Sequence, residues 1–286
     1  MKKWVVFAFI LVILLSYGIP QLNVKSGGEG KVNIENGSLP SKDSQMITVS
    51  KEQMYQGDLL LVNADYALHQ EGIRSDVVSL SDRSDLVKGF GLLDPSIQLS
   101  QSIVKSFGKM VAGAAKDGVN HFLINSGYRD ADKQDQLYRD MGHDYALPAY
   151  HSEHNLGVSL DIGSTEAKME DAKEGKWLEQ HAWEYGFILR YPKGKEEITG
   201  IKFEPWHFRY VGRAHSAIMY QQDLTLEQYL DELKKTKGLS ITLDNQKYTV
   251  TYYPMVGDSV TVRVPKGEHY DISGNNYDGV IVTAYA

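Results

Sequence analysis

The chain has 286 residues, 42% of them hydrophobic and 23% charged, which is enough for one substantial core and a smaller appendage. A formal net charge of −7 argues against nucleic acid as a partner, because such binders carry a basic face. The absence of cysteine removes disulfides, thiolate metal ligands and a cysteine nucleophile, so any metal must be held by His, Asp or Glu.

In chain order, Lys2 and Lys3 precede an uncharged apolar run from Trp4 to Ile19, and the next charge is Lys25. As a helix that run spans roughly 24 Å, short of the roughly 30 Å hydrocarbon core, which fits a short anchor or a cleaved signal peptide. The anchor is the preferred reading, because the paired alanines usual at a cleavage site are missing. Residues 1–24 are therefore expected to hold the protein at the cytoplasmic membrane, with the two lysines inside and the remainder outside. Residues 25–46 are rich in Gly, Ser, Asn and charge and read as a tether.

The body is expected over 47–238. Leu59 to Val62 is a short strand candidate. Ile103, Phe107, Met110, Val111 and Ala114 recur at helical spacing within a helix expected between Ile97 and Lys116, with Gly118 as its stop signal. A strand follows over His121 to Asn125, then a helix from Asp132 to Met141. Trp177, Leu178, His181 and Tyr185 mark another helix, and strands are expected over Phe187 to Tyr191 and Ile198 to Phe203. Thr225 and Gln228 form a capping box for a helix that runs to about Lys235. Residues 239–286 alternate apolar and polar between turn signals and read as a small β-rich domain packed on the body.

Chemistry concentrates in two segments, Ser152 to Asp161 and Glu204 to His207. Val158, Leu160 and Ile162 alternate with Ser159 and Asp161, so Asp161 faces away from the apolar side of a strand. Gly157 permits a turn that folds His154 back towards Asp161. With His207 these side chains make the three N and O ligands that hydrolytic zinc prefers, one position staying open. Glu204, three residues before His207 and held extended by Pro205, is placed to act as general base. Taken singly, each of these side chains reads more simply as a surface or capping residue, and a lone histidine such as His215 as a satisfied one. The combination carries the specificity.

Ser-x-His-x-x-Gly-x-x-x-Asp followed by Glu-x-x-His resembles the zinc D-Ala-D-Ala carboxypeptidase family, which includes VanY-type enzymes of glycopeptide-resistance clusters. The resemblance spans roughly Gln56 to Gly212, and it departs from the usual pattern at Ser159, where alanine is common. It implies an α+β fold with an antiparallel sheet and flanking helices, and one zinc on His154, Asp161 and His207 with Glu204 as base. Ser126-Gly-Tyr-Arg129 with Gln134 also resembles the family. Arg129 would steady the scissile carbonyl or the substrate carboxylate, since a guanidinium is always charged and offers paired donors. Gln134, Ser152, Tyr128 and Trp206 are expected to contact substrate, with Trp206 equally readable as core. The implied substrates are peptidoglycan precursor peptides ending in D-Ala. An L,D-carboxypeptidase acting on tetrapeptides would use the same machinery, and a non-catalytic wall-binding module would leave Glu204 without a task. Two formal Ser-x-x-Lys matches, at Ser102 and Ser106, fall inside the helix pattern without partner motifs and read as coincidence.

Overall fold

The computed structural model describes residues 34–37, 43–142, 147–267 and 269–285. Strands β1 (Ile34–Asn36) and β2 (Ser44–Ser50) are followed by the short strands β3 (Val77–Ser79), β4 (Phe90–Leu92) and β5 (Gln98–Ser100). Helix α1 (Gln101–Lys116) buries the expected apolar stripe and leaves Lys105, Lys109 and Lys116 exposed. Gly118, at φ +74°, then turns the chain towards β6 (Phe122–Ser126). Asp130 caps helix α2 (Ala131–Met141) by accepting from the Lys133 amide, and β7 (Ser159–Ser164) and α3 (Lys173–His181) follow. The body closes with β8 (Phe187–Leu189), the single-turn α4 (Glu196–Thr199), β9 (His207–Tyr210), α5 (Arg213–Gln222) and α6 (Leu226–Thr236).

The main sheet runs β4-β6-β7-β9-β8, antiparallel except for the parallel pair β4 and β6. One face is covered by α1 and α3. Phe107 and Met110 meet Phe122, Ile124, Leu160 and Ile162 in a continuous core. Because strand side chains alternate, burying Leu160 and Ile162 on that face turns Asp161 to the other, where the site lies.

The C-terminal strands are β10 (Gly238–Leu243), β11 (Gln246–Pro254), β12 (Ser259–Pro265), β13 (His269–Gly274) and β14 (Gly279–Tyr285). The two-residue turn at Asp244 and Asn245, both at positive φ, joins β10 to β11 as a tight hairpin. The resulting sheet is β1-β10-β11-β14-β13, and β12 pairs with β2. Leu226, Leu230 and Leu233 of α6 pack with Leu239, Ile241 and Val250 in a second core.

Several expectations are corrected. The span read as a tether contributes β1, which pairs with β10, and the start of β2, which pairs with β12, because backbone pairing was available from strands some 200 residues away. Leu59 to Val62 is extended but joins no ladder. Its amides go instead to the Ser273 hydroxyl and the Asn275 carbonyl, and its side chains alternate between the two cores. Ile198 to Phe203 is not a strand, since α4 ends there at Gly200 with φ +72°. The membrane anchor is also corrected: among the described residues no helix is long and apolar enough to cross a membrane, and segment 1–24 lies outside them.

Candidate metal centre

Asp161 on β7 lies directly opposite His207 on β9, and Ser126 on β6 lies opposite Asp161, so three adjacent strands put one row of polar side chains on a single face. His154 arrives from a short 3-10 turn, Glu153–Asn155, started by the Ser152 side chain. Gly157, at φ +84°, then swings the chain into β7, with Val77 too close to leave easy room for a Cβ. One ligand atom each from His154, Asp161 and His207 lies within 4.8 Å of the others.

The imidazoles are oriented by their outward nitrogens. His154 Nδ1 is 2.6 Å from the Gly127 carbonyl, to which it donates, and its Nε2 faces Asp161 Oδ2 at 3.4 Å. In His207 the roles reverse: Nε2 faces Glu153 Oε2 at 3.4 Å and Nδ1 faces Asp161 Oδ1 at 3.1 Å. Each ring therefore offers one lone pair to the same small space and commits its other nitrogen behind it. Two imidazoles and one carboxylate, without thiolate, suit zinc in a hydrolytic centre.

The electrostatics fit a site for a cation. Burial alone would raise the Asp161 carboxyl, but the facing His154 and His207 hold it well below the usual range. Burial and the Arg129 charge push His154 down. Burial opposes the charged form of His207 too, yet hydrogen bonds to Asp161 and Glu153 raise it to about 9. Glu204 is raised by burial, with the nearby Asp161 charge adding to the effect, and its Oε2 lies 3.8 Å from His207 Nδ1.

Arg129 follows β6 and leans into the same space. Ser126 Oγ accepts from its Nε at 3.1 Å and its Nη2 at 2.9 Å, Gln134 Oε1 accepts from Nη1 at 3.2 Å, and Asp161 Oδ2 lies 3.3 Å from Nη2. Gln134 is buried, and its amide nitrogen donates to the Leu147 carbonyl at 2.7 Å, so both ends of the side chain are committed to protein partners. Ser152 is likewise buried, engaged by the His154 amide. Tyr128 is half-buried, and Trp206 is 40% exposed, which removes its reading as core.

Behind His207 lies a set of charges that motif reading did not single out. Glu153, with a fully buried side chain, accepts from Arg190 Nε at 2.8 Å and forms an ion pair with Arg209 Nη1 at 2.9 Å on one oxygen, and accepts from the Ser159 hydroxyl at 3.1 Å on the other. Arg190 continues to Glu227 as a fork, at 2.6 and 2.9 Å. The available signals were Arg209 two residues from His207, hence on the same strand face, and a glutamate between Ser152 and His154.

An antiparallel sheet presenting two imidazoles and a carboxylate beside a raised glutamate is built as zinc metallopeptidases are, and fold and site together define that class. The family model described as VanY, D-alanyl-D-alanine carboxypeptidase, matches residues 96–213. A D-alanyl-D-alanine carboxypeptidase of Enterococcus faecium is 49% identical over 295 residues, covering 100% of this chain and 97% of the relative. Among solved structures, the D,D-dipeptidase VanXYg in complex with a D-Ala-D-Ala phosphinate analog superposes with a TM-score of 0.73 at 31% identity, over 85% of this chain and 99% of that one. VanYB in complex with D-alanine-D-alanine gives a TM-score of 0.51 at 28% identity, over 61% of this chain and 97% of that one. The chain belongs to the VanY family of D-alanyl-D-alanine carboxypeptidases.

Proposed function

We propose that the protein hydrolyses the terminal D-Ala-D-Ala bond of peptidoglycan precursor pentapeptides, and so removes the peptide end that vancomycin-type glycopeptides bind. His154, Asp161 and His207 would hold one zinc. When bound, zinc supplies Lewis acidity, polarising a carbonyl and acidifying water near pH 7. Glu204 takes the proton of the attacking water and delivers it to the leaving D-alanine amine. Arg129, held by Ser126 and Gln134, donates to the developing oxyanion or to the substrate's terminal carboxylate. Gln134 acts through Arg129 and Ser152 through the His154 turn, while Tyr128 and Trp206 wall the entrance. Residues 47–238 carry this chemistry, and 239–286 form a unit that braces it.

The observation that carries the reading is Glu204 Oε2 at 3.8 Å from the metal-facing nitrogen of His207, beside three ligand atoms within 4.8 Å of one another. A purely structural zinc takes four protein ligands and has no use for such an acid. The test is D-alanine release by the purified protein from wall pentapeptide and from tetrapeptide, each with and without chelator. Chelator-sensitive release from pentapeptide is expected. Release mainly from tetrapeptide would move the protein to the L,D-carboxypeptidases, and no release from either would end the catalytic reading.

A further inference from the structure

Glu227 belongs to the first turn of α6 and takes no part in the chemistry above. Its carboxylate meets the Arg190 guanidinium in a two-pronged pair, with Nη2 to Oε1 at 2.6 Å and Nη1 to Oε2 at 2.9 Å. The remaining Arg190 nitrogen, Nε, donates to Glu153 Oε1 at 2.8 Å, and Glu153 Oε2 faces His207 Nε2 at 3.4 Å. The Arg190 and Glu153 side chains are wholly buried, and Glu227 is 13% exposed, so water offers little substitute for any link. We infer that Glu227 is a positioning residue for the metal centre, acting through Arg190 and Glu153 to hold the His207 imidazole towards zinc.

The physical reason lies in how one carboxylate is shared. Glu153 serves Arg190, Arg209, Ser159 and His207 at once. With Glu227 in place, the charge of Arg190 is divided between two carboxylates, and Glu153 keeps negative charge for the His207 N–H. Without that second carboxylate, Arg190 draws on Glu153 alone. The hydrogen bond to His207 weakens, and Nδ1 becomes a poorer and less firmly aimed ligand. The position of Glu227 is in turn set by α6, whose Leu226, Leu230 and Leu233 are buried against Leu239, Ile241 and Val250 of the C-terminal sheet. The β-rich unit thus reaches the metal centre along a defined line of side chains.

The inference rests on His207 being a zinc ligand, and the experiment separates the two. Zinc affinity is measured by chelator competition, and the absorption spectrum of the cobalt(II)-substituted protein is recorded, for wild type, Glu227→Gln, Arg190→Lys, Thr225→Ala and His207→Ala. Thermal midpoints of the metal-free proteins are taken alongside. Thr225→Ala removes the capping box of the same helix while keeping Glu227, and so reproduces a merely structural loss. The expected result is a zinc Kd raised about tenfold, with a shifted cobalt spectrum, in both Glu227→Gln and Arg190→Lys, and neither change in Thr225→Ala. A Glu227→Gln protein with wild-type Kd and spectrum, whatever its thermal midpoint, would overturn the inference. If His207→Ala bound zinc as wild type does, the assignment of the site itself would fall, and this inference with it.

Discussion

Glu204 has the surroundings a general base needs. It is largely withdrawn from water, raised by that burial, and adjacent to the nitrogen of His207 that faces the ligand cluster. Glu204→Gln keeps the shape and a hydrogen-bonding end but cannot take a proton. Turnover should fall about a thousandfold while one zinc per chain is retained, and metal analysis beside a D-alanine assay checks both halves. The roles proposed for it and for His154, Asp161 and His207 could be read because each requirement leaves a local mark: a turn glycine, strand alternation, an acid three residues from a histidine. Gln134 was legible only as a polar residue in a suggestive stretch. Its commitment to Arg129 and the Leu147 carbonyl depends on where the first turn of α2 carries the side chain, which no motif marks. Ser159, the departure from the usual pattern, gives its hydroxyl to Glu153, a contact that alanine would lack.

Among the elements, α1 and α6 were readable because a long amphipathic stripe or a capping box is a signal contained within the element. Leu59 to Val62 misled because a short apolar run states that a segment is buried and not what its backbone pairs with, and Ile198 to Phe203 because its apolar residues flank a helix stop at Gly200. Gly175 makes the same point about substitution. Within α3, alanine would ordinarily gain about 1 kcal/mol over glycine. Here a Cβ would fall 1.9 Å from the Met169 carbonyl oxygen, a backbone atom with no side-chain freedom to yield. Gly175→Ala should therefore destabilise the protein by roughly 1–3 kcal/mol in denaturant titration, the overpacking cost outweighing the propensity gain.

Across the whole molecule, His215 ties body to appendage. From α5 its Nδ1 meets the Tyr229 hydroxyl of α6 at 2.6 Å, and its Nε2 meets Thr283 of β14 at 3.0 Å. Burial pushes its pKa down from 6.5 to about 4. A depressed folded-state value means that the unfolded chain binds the proton first. The contribution is whole above pH 6.5 and is lost as pH falls towards 4, on the order of 3 kcal/mol in all. In His215→Gln the slope of unfolding free energy against pH across that window should be shallower by about 1.4 kcal/mol per pH unit, and an unchanged slope would show that this histidine does not titrate on unfolding. By itself the sequence determined which donor types the proposed site offers, since donor identity, strand period and turn conformation are properties of a few neighbouring residues. Only the tertiary structure decided that β1 and β2 return to complete the C-terminal strands, and that Glu227 reaches His207 through two buried charges. Those arrangements follow from the need to satisfy every buried polar group, and the partners that do so lie dozens to hundreds of residues away.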